Sequence, residues 1–197
     1  MLYLTTTLLN SYDYHKHKDD QTNLIKTIRK EPIEITEAIR KGWEFESLVE
    51  KLATGGNIEV NLESEELEAL FEIARECKGG AFQVSCDTTI KTAKGEFKLI
   101  GKIDVLKKDL IQDIKRTGHY EMGKFRNSVQ HIIYMLSTGI QQFDYLVNFN
   151  GSYYNEPYYW HDGMKEELEQ KIIDFINYLE RNPELYNAYI TKWNWRS

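Results

Sequence analysis

The stretch Glu96–Thr117, EFKLIGKIDVLKKDLIQDIKRT, constrains this chain more than any other. Phe97, Leu99, Ile103 and Val105 recur at every second position, with Gly101 at the intervening place on the same face. That period predicts a strand, and the lysine-bearing turn after it predicts a second strand folded back on the first. Asp104 is then expected on the opposite face. Asp113 and Lys115 are two residues apart in the second strand, so they project to one side. Two carboxylates and an ammonium are thereby placed on neighbouring strands among apolar residues. Carboxylates are costly to bury unless something neutralises them. A divalent cation held by Asp104 and Asp113 is the simplest compensation, because hard cations prefer oxygen ligands.

Helical patterns lie on either side. Before the hairpin, Ile35, Ala38, Ile39, Phe45, Leu48, Val49 and Leu52 predict a helix from Glu34 to Ala53, with Gly42 and Glu46 inside it. After it, Arg126–Thr138 reads as a helix in which Gln130 and Tyr134 share a face at i, i+4. Further signals are a helix near Thr5–Lys18, a helix at Ser64–Lys78 and a strand at Ala81–Thr92 with Phe82, Val84, Cys86, Thr88 and Ile90 on one face. Strands at Phe143–Asn148 and Ser152–Trp160 flank the turn signal Asn150-Gly151, and Pro157 marks the second as an edge. Helices at Met164–Glu180 and from Pro183 close the chain, with TKWNWRS as a tail expected to dock on the core or on a partner.

Gly101-Lys102-Ile103-Asp104, Asp113-Ile114-Lys115 and the Gln130…Tyr134 pair resemble the GxxD, (D/E)xK and QxxxY motifs of the PD-(D/E)XK nuclease superfamily. Within it the chain is most similar to the RecB-like and phage-exonuclease branch, over roughly residues 41–150. Two departures stand out: Ile103 occupies the place of the proline in the superfamily's name, and Asp113 a place often held by glutamate. The resemblance implies an α/β (α+β) fold with a restriction-endonuclease-like core: a central mixed sheet of about five strands flanked by helices. It implies one domain over 1–197, with the core at 34–160 and C-terminal helices at 163–192.

The same resemblance implies a Mg²⁺ or Mn²⁺ site on Asp104, Asp113 and the backbone carbonyl of Ile114. Gly42-x-x-x-Glu46 matches an element of the family's first core helix, so Glu46 is expected to reach that site, with Gly42 allowing close helix–sheet approach. Lys115 is expected to position or activate the attacking water, desolvation lowering its pKa, and to stabilise the pentacovalent transition state. Gln130 and Tyr134 would orient and brace the site, and Lys102 and Arg116 would contact phosphate. His131 lies one residue on from Gln130 and is not assigned. His15 and His17 read as solvated side chains.

Charge bears on the substrate. The net charge is −6, yet residues 91–126 hold ten Lys/Arg against five acids. The one clearly positive part of an acidic chain therefore carries the motifs, as suits a phosphate-rich substrate. Two cysteines, Cys77 and Cys86, cannot supply a four-cysteine iron–sulfur cluster. No apolar run has the length of a membrane span, and no signal peptide is visible, so a cytoplasmic location is expected. The expectation is a metal-dependent DNA nuclease, an exonuclease of phage or mobile-element type, with DNA as partner. The competing expectation is a catalytically inactive nuclease-fold module that binds DNA or a protein; action on RNA and homo-oligomerisation stay open.

Overall fold

In a computed structural model, residues 1–59 and 63–195 are described, and they form six strands and seven helices. In chain order these are β1 (Leu2–Thr5), α1 (Thr6–His15), α2 (Thr22–Ile28), α3 (Glu37–Ala53), α4 (Ser64–Cys77), β2 (Ala81–Thr92) and β3 (Gly95–Leu106). There follow β4 (Ile111–Thr117), α5 (Gln130–Thr138), β5 (Gln142–Phe149), β6 (Ser152–Tyr159), α6 (Met164–Glu180) and α7 (Pro183–Lys192). The fold is α/β, a mixed sheet with helices on both faces. On one face α3 and α4 cover Val105, Ile114 and Leu146 with Phe45, Val49, Leu70 and Ile73. On the other, α1, α2, α5, α6 and α7 close over Leu99, Ile103, Ile111, Phe143, Tyr145 and Val147.

The sheet has six strands where about five were expected. The extra one is β1, which pairs parallel with β3 from Leu2↔Phe97 to Thr5↔Ile100. Four residues are too few to show a period, and Thr5 belongs also to the next element, where its hydroxyl accepts from Leu8 N at 3.2 Å as the N-cap of α1. Short α2 was also not anticipated. α5 begins at Gln130, four residues after the expected Arg126. The intervening segment is held as turns, with Arg126 N donating to Gly123 O and Ser128 N to Phe125 O. The helix start is fixed from outside, by Val129 N donating to Asn10 Oδ1 at 3.0 Å.

β3 organises the sheet. Along one edge it pairs antiparallel with β2 over nearly its whole length. Along the other it changes partner: β1 occupies Phe97–Ile100, and β4 pairs only at Val105↔Gln112 and Leu106↔Ile111. The edge from Gly101 to Asp104 has no strand partner, so the sheet opens there. β4 then runs parallel to β5 from Ile111↔Phe143 to Thr117↔Phe149, and β6 closes that side as the expected edge strand. The β5–β6 turn is Asn150-Gly151 with φ of 49° and 82°, the paired left-handed residues that a tight hairpin requires.

The expected single apolar face of β3 breaks at Asp104. Ile103 packs with α5 and α6, whereas Val105 packs with α3 and α4. β2 breaks alongside it: Val84 lies on the first side and Phe82 on the second. Between them Gln83 has φ 55°, a left-handed conformation that costs a residue with a side chain. The two strands thus exchange faces together at the point where the sheet opens.

At the C-terminus, Trp193 is buried, its indole donating to Ile28 O at 2.8 Å, and Trp195 N donates to Met1 O at 2.8 Å. The tail therefore docks on the start of the chain as far as Trp195; Arg196 and Ser197 lie outside the described residues.

Candidate active site

The opening in the sheet is filled by side chains. Tyr134, on α5, reaches the free edge of β3, where its hydroxyl donates to Lys102 O at 2.8 Å and lies 3.3 Å from Lys102 N as acceptor. Tyr134 therefore takes the hydrogen-bonding place of a missing strand. Its ring needs Gly101: a Cβ on that residue would stand 2.2 Å from Tyr134 Cε1. Gly101→Ala is accordingly expected to destabilise the fold by about 1–3 kcal/mol through overpacking. Urea denaturation reads this, and an unchanged midpoint would count against the packing described.

Asp104 bridges the other end of the opening. Its Oδ2 accepts from Ile114 N at 3.0 Å, replacing the strand-to-strand bond that β3 and β4 no longer make. On β4, alternation sends Ile114 into the α3–α4 core and Asp113 and Lys115 to the α5 side. Asp113 is 1% exposed. Its Oδ1 accepts from Gln130 Nε2, and the Lys115 ammonium stands against Oδ2 as an ion pair without the alignment of a hydrogen bond. Asp113 Oδ2 is one of three buried side-chain polar atoms, among the described residues, without a hydrogen-bond partner. Gln130 Nε2 also lies 3.5 Å from the Tyr134 hydroxyl, so the expected i, i+4 pair works as one unit.

The electrostatics follow from this crowding. Burial, with Asp104 and Glu46 adding to it and Lys115 opposing, pushes the Asp113 carboxyl up to about 8. Glu46, half-buried on α3, is raised to about 7 by burial and by the charge of Asp104, with Lys115 opposing. Glu46 thus lies within electrostatic range of Asp104 and Lys115. Gly42, one turn before it, does not serve the expected close approach of helix to sheet, since a Cβ there would meet nothing within 4 Å. Burial works against the Lys115 ammonium, but Asp113, Asp104 and Glu46 outweigh it and hold its pKa above the ordinary value. The direction is opposite to the fall expected from desolvation alone.

Other expected residues are differently placed. Arg116 is on the α3–α4 side, its Nε 2.6 Å from Glu66 Oε1, where it lines two clefts of ≈ 270 and ≈ 320 Å³. Neither cleft is lined by Asp104, Asp113 or Lys115. The Lys102 side chain is exposed. His131 is buried beside Tyr158 and Tyr145, and desolvation lowers its pKa to about 4, which makes it a neutral core residue. Tyr145, which the sequence did not single out, lies beneath Lys115 with its ring centroid 5.8 Å from Nζ. Only the parallel pairing Asp113↔Tyr145 reveals it, and no local signal encodes that pairing.

No family model matches the chain, and no curated protein matches it. The fold is similar to the crystal structure of SSO0001. The two agree with a TM-score of 0.55 over 88% of this chain and 76% of that one, at 10% sequence identity. The likeness supports the α/β architecture and speaks to the fold alone.

The donor set suits a hard cation: the Asp104 carboxylate and the buried Asp113 carboxylate, whose Oδ2 accepts no hydrogen bond and faces the Lys115 ammonium. The carboxylates are not drawn into a cage, however. Among the described residues no group of three or more His, Cys, Asp or Glu is gathered tightly enough to hold a metal ion. Two carboxylates nevertheless fit Mg²⁺, which usually keeps several waters. No helix among the described residues is long and apolar enough to cross a membrane.

Proposed function

We propose that this protein is a divalent-cation-dependent nuclease that hydrolyses phosphodiester bonds, in DNA above all. The observation that carries the reading is the convergence of Asp104, Asp113 and Lys115 in the opening of the sheet, braced by Gln130 and Tyr134 and bordered by Glu46. The motif resemblance and the positive charge of residues 91–126 support it.

In this reading Asp104 and Asp113 would hold Mg²⁺ or Mn²⁺ together with the backbone carbonyl of Ile114, and Glu46, which is not gathered with them into a three-carboxylate cage, would stand within electrostatic range. When bound, the ion lowers the pKa of its water and offsets charge on the phosphate. The chain's own groups do the rest. Gln130 fixes the rotamer of Asp113. Tyr134 ties Lys102 to α5 and so sets the position of β3 beside Asp104. The Lys115 ammonium stabilises the negative charge that develops on the phosphoryl oxygens, an electrostatic role that needs its charge retained.

Cleavage of linear DNA in the presence of Mg²⁺ or Mn²⁺ is the expected result, with none after chelation and none from Asp104→Ala. The proposal fails if the wild-type protein is inert on linear and circular DNA and on RNA with either ion, and calorimetry finds no cation binding that depends on Asp104.

A further inference from the structure

A second buried carboxylate lies on the same face of the sheet as the site, two strands away from it. The parallel pairing Asp113↔Tyr145 and the antiparallel pairing Tyr145↔Glu156 put Asp113, Tyr145 and Glu156 in one row across β4, β5 and β6. Neighbouring strands lie about 4.8 Å apart, so Glu156 stands roughly 10 Å from Asp113. Glu156 is 3% exposed on an edge strand, a position where an apolar residue would cost less to bury.

Its partners are neutral donors, and two of the three come from the segment that joins β4 to α5. The Tyr120 hydroxyl donates to Oε2 at 2.8 Å and Phe125 N to Oε1 at 3.3 Å, while the hydroxyl of Tyr158, on β6 itself, also donates to Oε1. Alternation puts Tyr154 on the same face of β6, and the Tyr120 ring packs on it with centroids 5.2 Å apart. The segment held in this way is the direct covalent link between Lys115 on β4 and Gln130 on α5. Holding the Phe125 backbone also seats its ring on Tyr145, with centroids 4.5 Å apart and planes at 26°. Tyr145 in turn lies beneath Lys115. A continuous line of contacts therefore runs from Glu156 through Phe125 and Tyr145 to the Lys115 ammonium.

We propose that Glu156 is a positioning residue of the candidate site: it clasps the β4–α5 segment to β6 and, through Phe125 and Tyr145, fixes the place of Lys115. The proposal rests on the nuclease reading and adds to it a residue outside the motifs. Glu156 touches neither phosphate nor cation. Its loss should therefore lower turnover and leave KM and cation affinity as they are.

Steady-state cleavage of linear DNA at saturating Mn²⁺ reads this. Glu156→Leu removes all three bonds and is expected to lower kcat about ten- to a hundredfold, with KM and the calorimetric Mn²⁺ affinity within about twofold of wild type. Glu156→Gln should keep most of the rate, because its carbonyl can accept from Phe125 and Tyr158 while its amide donates to the Tyr120 hydroxyl. Tyr120→Phe loses one bond and serves where Glu156→Leu does not fold; a loss of about three- to tenfold is expected. Asp144→Asn is the control. Asp144 is similarly buried on the neighbouring strand, but it is bonded to Gln142 and Asn155 and alternation puts it on the opposite face. It should change the Tm and not kcat.

The deciding arm is the cycle with Lys115→Met. There the group that Glu156 positions is already gone, so Tyr120→Phe should change the residual rate by less than about twofold. Loss of the same factor in both backgrounds, or an equal loss of kcat in Asp144→Asn, would mark a merely structural role and overturn the inference. So would an unchanged kcat in both Glu156→Leu and Tyr120→Phe. Each of these leaves the nuclease reading intact, whereas a wild type inert on DNA and RNA ends both.

Discussion

Asp113→Asn is expected to abolish metal-dependent cleavage while making the metal-free protein more stable at pH 8.5. Asp113 is fully buried and its carboxyl is raised from 3.8 to about 8; Glu46 is raised from 4.5 to about 7. Both groups keep their protons to higher pH in the folded chain than in the unfolded one. Between those values the folded state binds more protons, so these two groups make stability fall as pH rises. Their contribution is neutral below about pH 4, where both states are protonated, and fully unfavourable above about pH 8. Asparagine keeps the acceptor that Gln130 uses and removes the buried charge. A gain of about 1–2 kcal/mol, or roughly 3–6 °C in Tm, is expected at pH 8.5, with little gain at pH 5.

A divalent cation should act in the opposite direction on the wild type. Its carboxylate ligands must be deprotonated, so its affinity rises with pH through 7 to 8. At a hundredfold excess over Kd it stabilises by about 2.7 kcal/mol. Thermal melts with and without Mn²⁺ at pH 5.5 and 8.5 measure both effects. A wild type whose metal-free Tm is higher at pH 8.5 than in Asp113→Asn would contradict the account.

Lys115→Met is expected to lower the cleavage rate by about 10²–10⁴-fold with cation binding retained. In the proposed reading Lys115 contributes positive charge beside the reacting phosphate: burial lowers its pKa, Asp113, Asp104 and Glu46 raise it, and the balance lies above the ordinary value. Lys115→Arg, which keeps the charge, should recover part of the rate. The wild-type rate should rise with pH through the titration of Asp113 and Glu46 and then level off. A neutral-lysine base predicts the reverse: no rescue by arginine, and a rate that climbs further at high pH. Lys115 is 30% exposed at its side chain, so methionine can be accommodated. Loss of the cation beside Asp113 should still lower the Tm at pH 8.5.

Much of the candidate site is legible in local pattern. Asp113 and Lys115 project together because a strand alternates, and Gln130 and Tyr134 meet because a helix repeats at i, i+4. Gly101 is a bare position in the sequence, and only the Tyr134 ring seated on it explains why. Val105 and Phe82 were misplaced because alternation carried forward from Ile103 and Val84 assumes an unbroken strand. Gln83 in the left-handed region breaks it, and no short-range signal announces a glutamine with positive φ. Arg116, expected to contact phosphate, is instead paired with Glu66, 50 residues away in the chain and so invisible to local pattern.

By itself, then, the sequence determined the elements and the identity of the groups that could do chemistry. Periodicity, caps and turn residues act over a few positions and are visible without the fold. Tertiary structure alone decided that β3 changes partner between β1 and β4, and that the gap so left is bridged by Tyr134 and Asp104. It also decided the protonation of the site. Whether Lys115 gains or loses its proton depends on how burial balances three carboxylates from different elements, and that balance exists only once the chain is folded.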